Sequence, residues 1–72
     1  MTSIHSAPYQ RMLAKLRAAR REAGLTQAQV AAFLGKPQSF VSKVESGERR
    51  LDPIELQELA RIYGRHPSDL LP

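Results

Sequence analysis

The chain contains no cysteine. It therefore has neither disulfide staples nor thiolate metal ligands, and a reducing, intracellular setting is the natural expectation. It also lacks any long hydrophobic run. The longest purely apolar stretch, Val30 to Leu34, is five residues, where a membrane helix needs roughly 20. The opening residues, MTSIHSAPYQ, hold no apolar segment of the kind a secretory leader carries. Metal and catalytic motifs are missing as well. His5 and His66 have no cysteine partner, no HExxH pattern and no paired carboxylates around them. His66 is expected to cap a turn or lie at the surface. No glycine site has the form of a phosphate-cradling loop.

What is present is an ordinary globular composition in a short chain of 72 residues, 42% apolar and 25% charged. That composition excludes disorder driven by low hydrophobicity and high net charge. The length allows one domain with a thin core. Eleven Lys and Arg against seven Asp and Glu give a net charge of +4. The balance is uneven along the chain. Residues 1–50 hold nine basic and three acidic side chains, and residues 51–72 hold two and four. A basic face on a small domain fits a polyanionic partner, although a solvated Lys/Arg surface has the same composition.

Helical punctuation is clear. Residues 1–8 are expected to form a flexible arm and residues 9–72 a single domain. From Tyr9 the apolar residues recur at helical spacing through Met12, Leu13, Leu16, Ala19 and Ala23, with Pro8 in the first turn and Gly24 past the end. A second helix is predicted over Gln27–Leu34. Thr26 and Gln29 make a capping box, Leu25 and Val30 a hydrophobic staple, and Gly35 the stop. Lys36-Pro37 opens a third helix, with Pro37 at or near its first position, and Ser46-Gly47 ends it. A fourth helix starts at Asp52-Pro53, with Glu55 completing its capping box and Leu51 and Leu56 its staple. Ile54, Leu56, Leu59, Ala60, Ile62 and Tyr63 are expected to face inward or toward a neighbour, and Gly64 stops the helix. Pro67 to Leu71 read as a last short turn. Nothing reads as a strand. The expected fold is all-α, a compact bundle of five short helices, which leaves little room for a deep pocket. No catalysis, cofactor or metal is expected from it.

The second and third helices are the informative pair. Only Gly35, Lys36 and Pro37 separate them, and a turn of that length containing glycine is the signature of a helix-turn-helix. The segment TQAQVAAFLGKPQSFVSKVESGERR resembles the phage-repressor/Cro-like helix-turn-helix family, also called the XRE family. The resemblance begins at LRAARREAGLTQ, continues through LDPIELQELARIYG and covers roughly residues 10–71. Thr26-Gln27, Ala31, Gly35, Val41, Glu45 and Gly47 stand at the family's spacing.

The resemblance implies a lambda-repressor-like bundle that binds operator DNA, usually as a dimer, and regulates transcription in the cytoplasm. It implies that Gln27 clamps the DNA backbone at the start of the second helix, where free amides and the dipole favour a phosphate. Gln38, Ser39, Ser42 and Lys43 lie on faces of the third helix that Val41 and Val44 leave outside the core. Their chemistry suits base edges: Gln for adenine, Lys for guanine, Ser for base or phosphate. Phe40 either packs in the core or touches a thymine methyl or the sugar-phosphate rim, with contact slightly favoured. Arg49 and Arg50 follow in a loop that lies against the DNA backbone in the family. Arg20 and Glu45 are expected to form a partly buried salt bridge between the first and third helices. The fourth-helix exit and last turn, with Leu70 and Leu71, are expected to form a small homodimer interface. No second domain for ligand sensing is evident, so no small-molecule effector is expected. The rival reading is a protein-interaction module, such as an antitoxin or coactivator, with DNA binding secondary.

Overall fold

The computed structural model describes residues 6–72, so the expected arm, including His5, falls mostly outside the described residues. These residues form four α-helices and one 3₁₀ turn: α1 Ala7–Glu22, α2 Gln27–Leu34, α3 Gln38–Ser46, α4 Pro53–Tyr63 and the 3₁₀ turn Pro67–Leu70. The described residues contain no strand. The second helix has the bounds its capping box and glycine stop imply. Thr26 Oγ1 accepts from the Gln29 amide at 3.1 Å, and Gln29 Oε1 accepts from the Thr26 amide at 2.9 Å.

Helix α1 starts earlier than its apolar stripe suggests. Ser6 caps it, with Oγ accepting from the Tyr9 amide at 3.3 Å, and Ala7 and Pro8 belong to its first turn. Pro37 lies next to the first helical position, within its expected place. It is the N-cap of α3, with extended backbone, rather than its first helical residue. The amide it lacks is therefore the cap's own.

The core is built around α1. Leu13 and Leu16 are almost fully buried. A side chain of this kind contributes about 1.5–3 kcal/mol when buried. Tyr9, Met12 and Ala19 extend the same stripe, and Val30, Ala31, Val41, Leu56, Leu59, Ala60, Tyr63 and Leu70 close around it. Two expectations need correction. Ile54 is 63% exposed, because the first turn of α4 swings that face into solvent. Leu70 is 2% exposed, because the 3₁₀ turn folds it onto α1 and α4 within the same chain. It cannot anchor a dimer, and only Leu71 of that pair stays outside.

Gly47 ends α3 in a conformation only glycine adopts easily, with φ of +84°. A Cβ there would also meet Leu13 Cδ1 at 3.3 Å, so α3 stops against α1. Beyond it, the Leu51 amide donates to the Tyr9 hydroxyl at 2.9 Å, which pins the loop after α3 to α1.

Tyr63 gives the fold an alkaline weakness. Burial first, and the Glu45 carboxylate second, push its hydroxyl up to about 12, while Arg20 opposes them. An unfolded tyrosine ionises near 10. Between those values the unfolded chain binds fewer protons, so stability falls as pH rises, by about 2–3 kcal/mol at most. Urea melts at pH 9 and pH 11.5 are expected to show a smaller decline for Tyr63→Phe than for the wild type. Equal declines would contradict this role.

Candidate nucleic-acid interface

Helix α3 has two unlike sides. Val41, Val44 and Glu45 are buried against the rest of the domain. Gln38, Ser39 and Lys43 are exposed, and Ser42 is half-buried with its hydroxyl donating to the Ser39 carbonyl at 3.2 Å. The four polar residues singled out in the sequence therefore lie together, outside the packed side. No side chain caps the first turn of α3.

Glu45 holds this helix in place. Arg20 of α1 approaches it as a fork, Nε to Oε2 at 2.7 Å and Nη2 to Oε1 at 3.1 Å. The third guanidinium nitrogen, Nη1, donates to the Leu25 carbonyl at 3.0 Å. The Arg20 guanidinium is held above its ordinary value, mainly by the Glu45 hydrogen bond. Gln27 Nε2 adds a bond to Oε1 at 3.1 Å. Arg17 Nη1 donates to the Glu45 backbone carbonyl at 2.7 Å. One carboxylate thus joins α1, the start of α2 and the end of α3. The half-buried Gln27 amide is oriented by this node at the N-terminus of α2. Arg17 was not singled out from the sequence, although it stands one turn before Arg20 on the same helix face.

In the loop after α3 the two arginines have different surroundings. Arg49 is bound to Glu55, Nη1 to Oε1 and Nη2 to Oε2, both at 2.9 Å. The Arg49 guanidinium is raised and the Glu55 carboxyl lowered, each mainly by this hydrogen bond. The same guanidinium lies 4.5 Å from the centre of the Phe40 ring, and the Lys36 ammonium lies 5.5 Å from it. Phe40 is half-buried and packs on the core. Arg50 is exposed, with its guanidinium 5.5 Å from the Tyr9 ring. The pairing of Arg49 with Glu55 was not visible in the spacing, because it crosses from the loop to α4.

Away from this face the described residues hold no cluster of metal-ligating side chains, and no helix among them is long and apolar enough to cross a membrane. His66 caps the 3₁₀ turn, with Nδ1 accepting from the Ser68 amide at 3.2 Å.

Two short helices joined by a glycine turn, the second with an anchored side and a polar side, define a helix-turn-helix DNA-binding domain. The helix-turn-helix family profile matches residues 16–70. A solved structure of an XRE-family like protein from Pseudomonas syringae pv. tomato str. DC3000 is 54% identical. It superposes with a TM-score of 0.85, over 93% of this chain and 82% of that one. No curated protein matches the chain. The chain belongs to the XRE family of helix-turn-helix proteins, and at the level of that family it is a DNA-binding regulator.

Proposed function

We propose that this protein is a sequence-specific transcriptional regulator, acting in the cytoplasm as a repressor, that inserts α3 into the major groove of an operator. The observation that carries the reading is the two-sided α3, fixed to the body by Glu45 and open to solvent at Gln38, Ser39 and Lys43. In this arrangement Gln38, Ser39, Ser42 and Lys43 meet base edges. Gln27 and Arg50 hold the DNA backbone, where they set register without reading sequence. The amide of Gln27 has a second N–H beyond the one given to Glu45, and the first-turn amides of α2 add to it. Lys and Arg side chains supply salt-dependent affinity by releasing counterions.

A two-fold dimer would place two copies of α3 about 34 Å apart, one DNA turn, on a pseudo-palindromic site. With Leu70 inside the core, such a dimer would be small at the last turn and would form on DNA rather than before it. No small-molecule effector enters this scheme.

The test is a titration of labelled duplex from upstream of the protein's own gene, against scrambled competitor, at two salt concentrations. Tight binding that resists the competitor, with two protomers per site by sedimentation, is the expected result. Binding that scrambled DNA removes equally well would contradict the reading and favour a protein-interaction module.

A further inference from the structure

Arg49, although partly exposed, has its end-on fork turned to a neighbour. Both Nη atoms are bound to Glu55, and Nη1 also donates to the Arg50 carbonyl at 2.9 Å. Its backbone amide donates to the Lys43 carbonyl at 3.1 Å, near the end of α3. Its guanidinium covers Phe40, in the first turn of α3. One residue therefore touches both ends of α3 and the first turn of α4. Three of the five guanidinium N–H donors, including the end-on fork of one N–H from each Nη, are already given to the Glu55 carboxylate and the Arg50 carbonyl. A phosphate brought to Arg49 would also stand beside the Glu55 negative charge.

We propose that Arg49 is a positioning residue for the reading helix: clamped by Glu55, it holds the Phe40 ring and so fixes how Gln38 and Ser39 are presented. This inference rests on the proposed reading of α3 as the helix that meets base edges. Glu55, on α4, then becomes a determinant of specificity although it lies on a different helix. A cation over an aromatic face and a forked Arg–carboxylate pair are each modest at a partly exposed site. Here they act on one ring, in the same first turn of α3 as Gln38 and Ser39.

Glu55 allows a clean substitution. It also completes the capping box of α4, with Oε1 accepting from the Asp52 amide at 3.1 Å. Glutamine serves equally in a capping box, so Glu55→Gln keeps the helix start and weakens the ionic clamp.

The experiment compares the wild type, Arg49→Ala, Glu55→Gln and, as a phosphate-contact reference, Arg50→Ala. In the free protein, both Arg49→Ala and Glu55→Gln are expected to shift the NMR signals of the Gln38 and Ser39 amides. Unmoved amides in both variants overturn the proposal, whatever the protein does with DNA. Affinities for a preferred and a scrambled duplex are then measured across salt concentration. Arg49→Ala is expected to keep the wild-type salt slope and lose about threefold to tenfold in discrimination, with Glu55→Gln losing discrimination likewise. Arg50→Ala is expected to lower the slope by about 0.9 and weaken both duplexes alike. The same uniform loss and slope change in Arg49→Ala would mark a phosphate contact and overturn the positioning role. A wild type with no preference among duplexes would sink the reading of α3 itself, and the amide shifts would still decide the clamp.

Discussion

Replacing Arg20 by alanine is expected to lower the melting temperature by about 12 °C or more. The guanidinium satisfies both oxygens of Glu45 and the Leu25 carbonyl. Side-chain exposure of the two partners is 11% and 5%, so Glu45 is largely shielded from water and depends on Arg20 for its counter-charge. Removing one member of such a buried pair costs about 3–5 kcal/mol, because the other charge remains uncompensated. A domain of this size has a total stability of only about 4–11 kcal/mol, and each kilocalorie corresponds to about 4–8 °C in a small domain. The loss therefore removes a large share of the margin. Arg20→Lys keeps the charge but not the fork or the Leu25 contact, so its melting temperature should fall between the two. Changing both partners to methionine should recover much of the loss, since no buried charge is then left alone. Circular dichroism melts of the four proteins check this. A wild-type melting temperature for Arg20→Ala would show that the node does not hold α3 to α1.

The second large effect falls on binding and spares the fold. Gln38→Ala with Lys43→Ala removes two exposed side chains from α3. Alanine is the best helix former, and exposed substitutions of this kind stay within about 0.5 kcal/mol. If the two residues meet base edges, each contributes about 1–3 kcal/mol of discrimination. Losing both should reduce the preference for the operator by roughly 30-fold or more, while affinity for scrambled duplex falls far less. Fluorescence anisotropy against both duplexes, beside a thermal melt, separates these outcomes. Equal losses on both duplexes would place the two residues on the phosphate backbone instead.

Much of this architecture is legible in the sequence because the helices are bounded by local devices. Thr26 with Gln29 and Asp52 with Glu55 satisfy orphan amides within four residues, and Gly35, Gly47 and Gly64 take the left-handed turn that ends a helix. Such signals need no tertiary context. Ser6 was harder to see, because its N3 residue is Tyr9 and no reciprocal capping box marks the start. The position of Leu70 needed the tertiary fold: two adjacent leucines read alike until the 3₁₀ turn sends one into the core. At the interface, the polar side of α3 follows from the spacing of Val41 and Val44. The pairing of Arg49 with Glu55 does not, because it depends on how a loop folds back onto α4.

The polar side of α3 is expected to read base sequence. Selection from a random duplex pool tests it most directly, since it assumes no operator. The wild type should enrich one sequence motif over successive rounds, and the Gln38→Ala/Lys43→Ala protein should fail to enrich it. Binding that persists at low salt with no motif emerging would contradict the claim, and would leave the basic surface as a non-specific anchor for DNA.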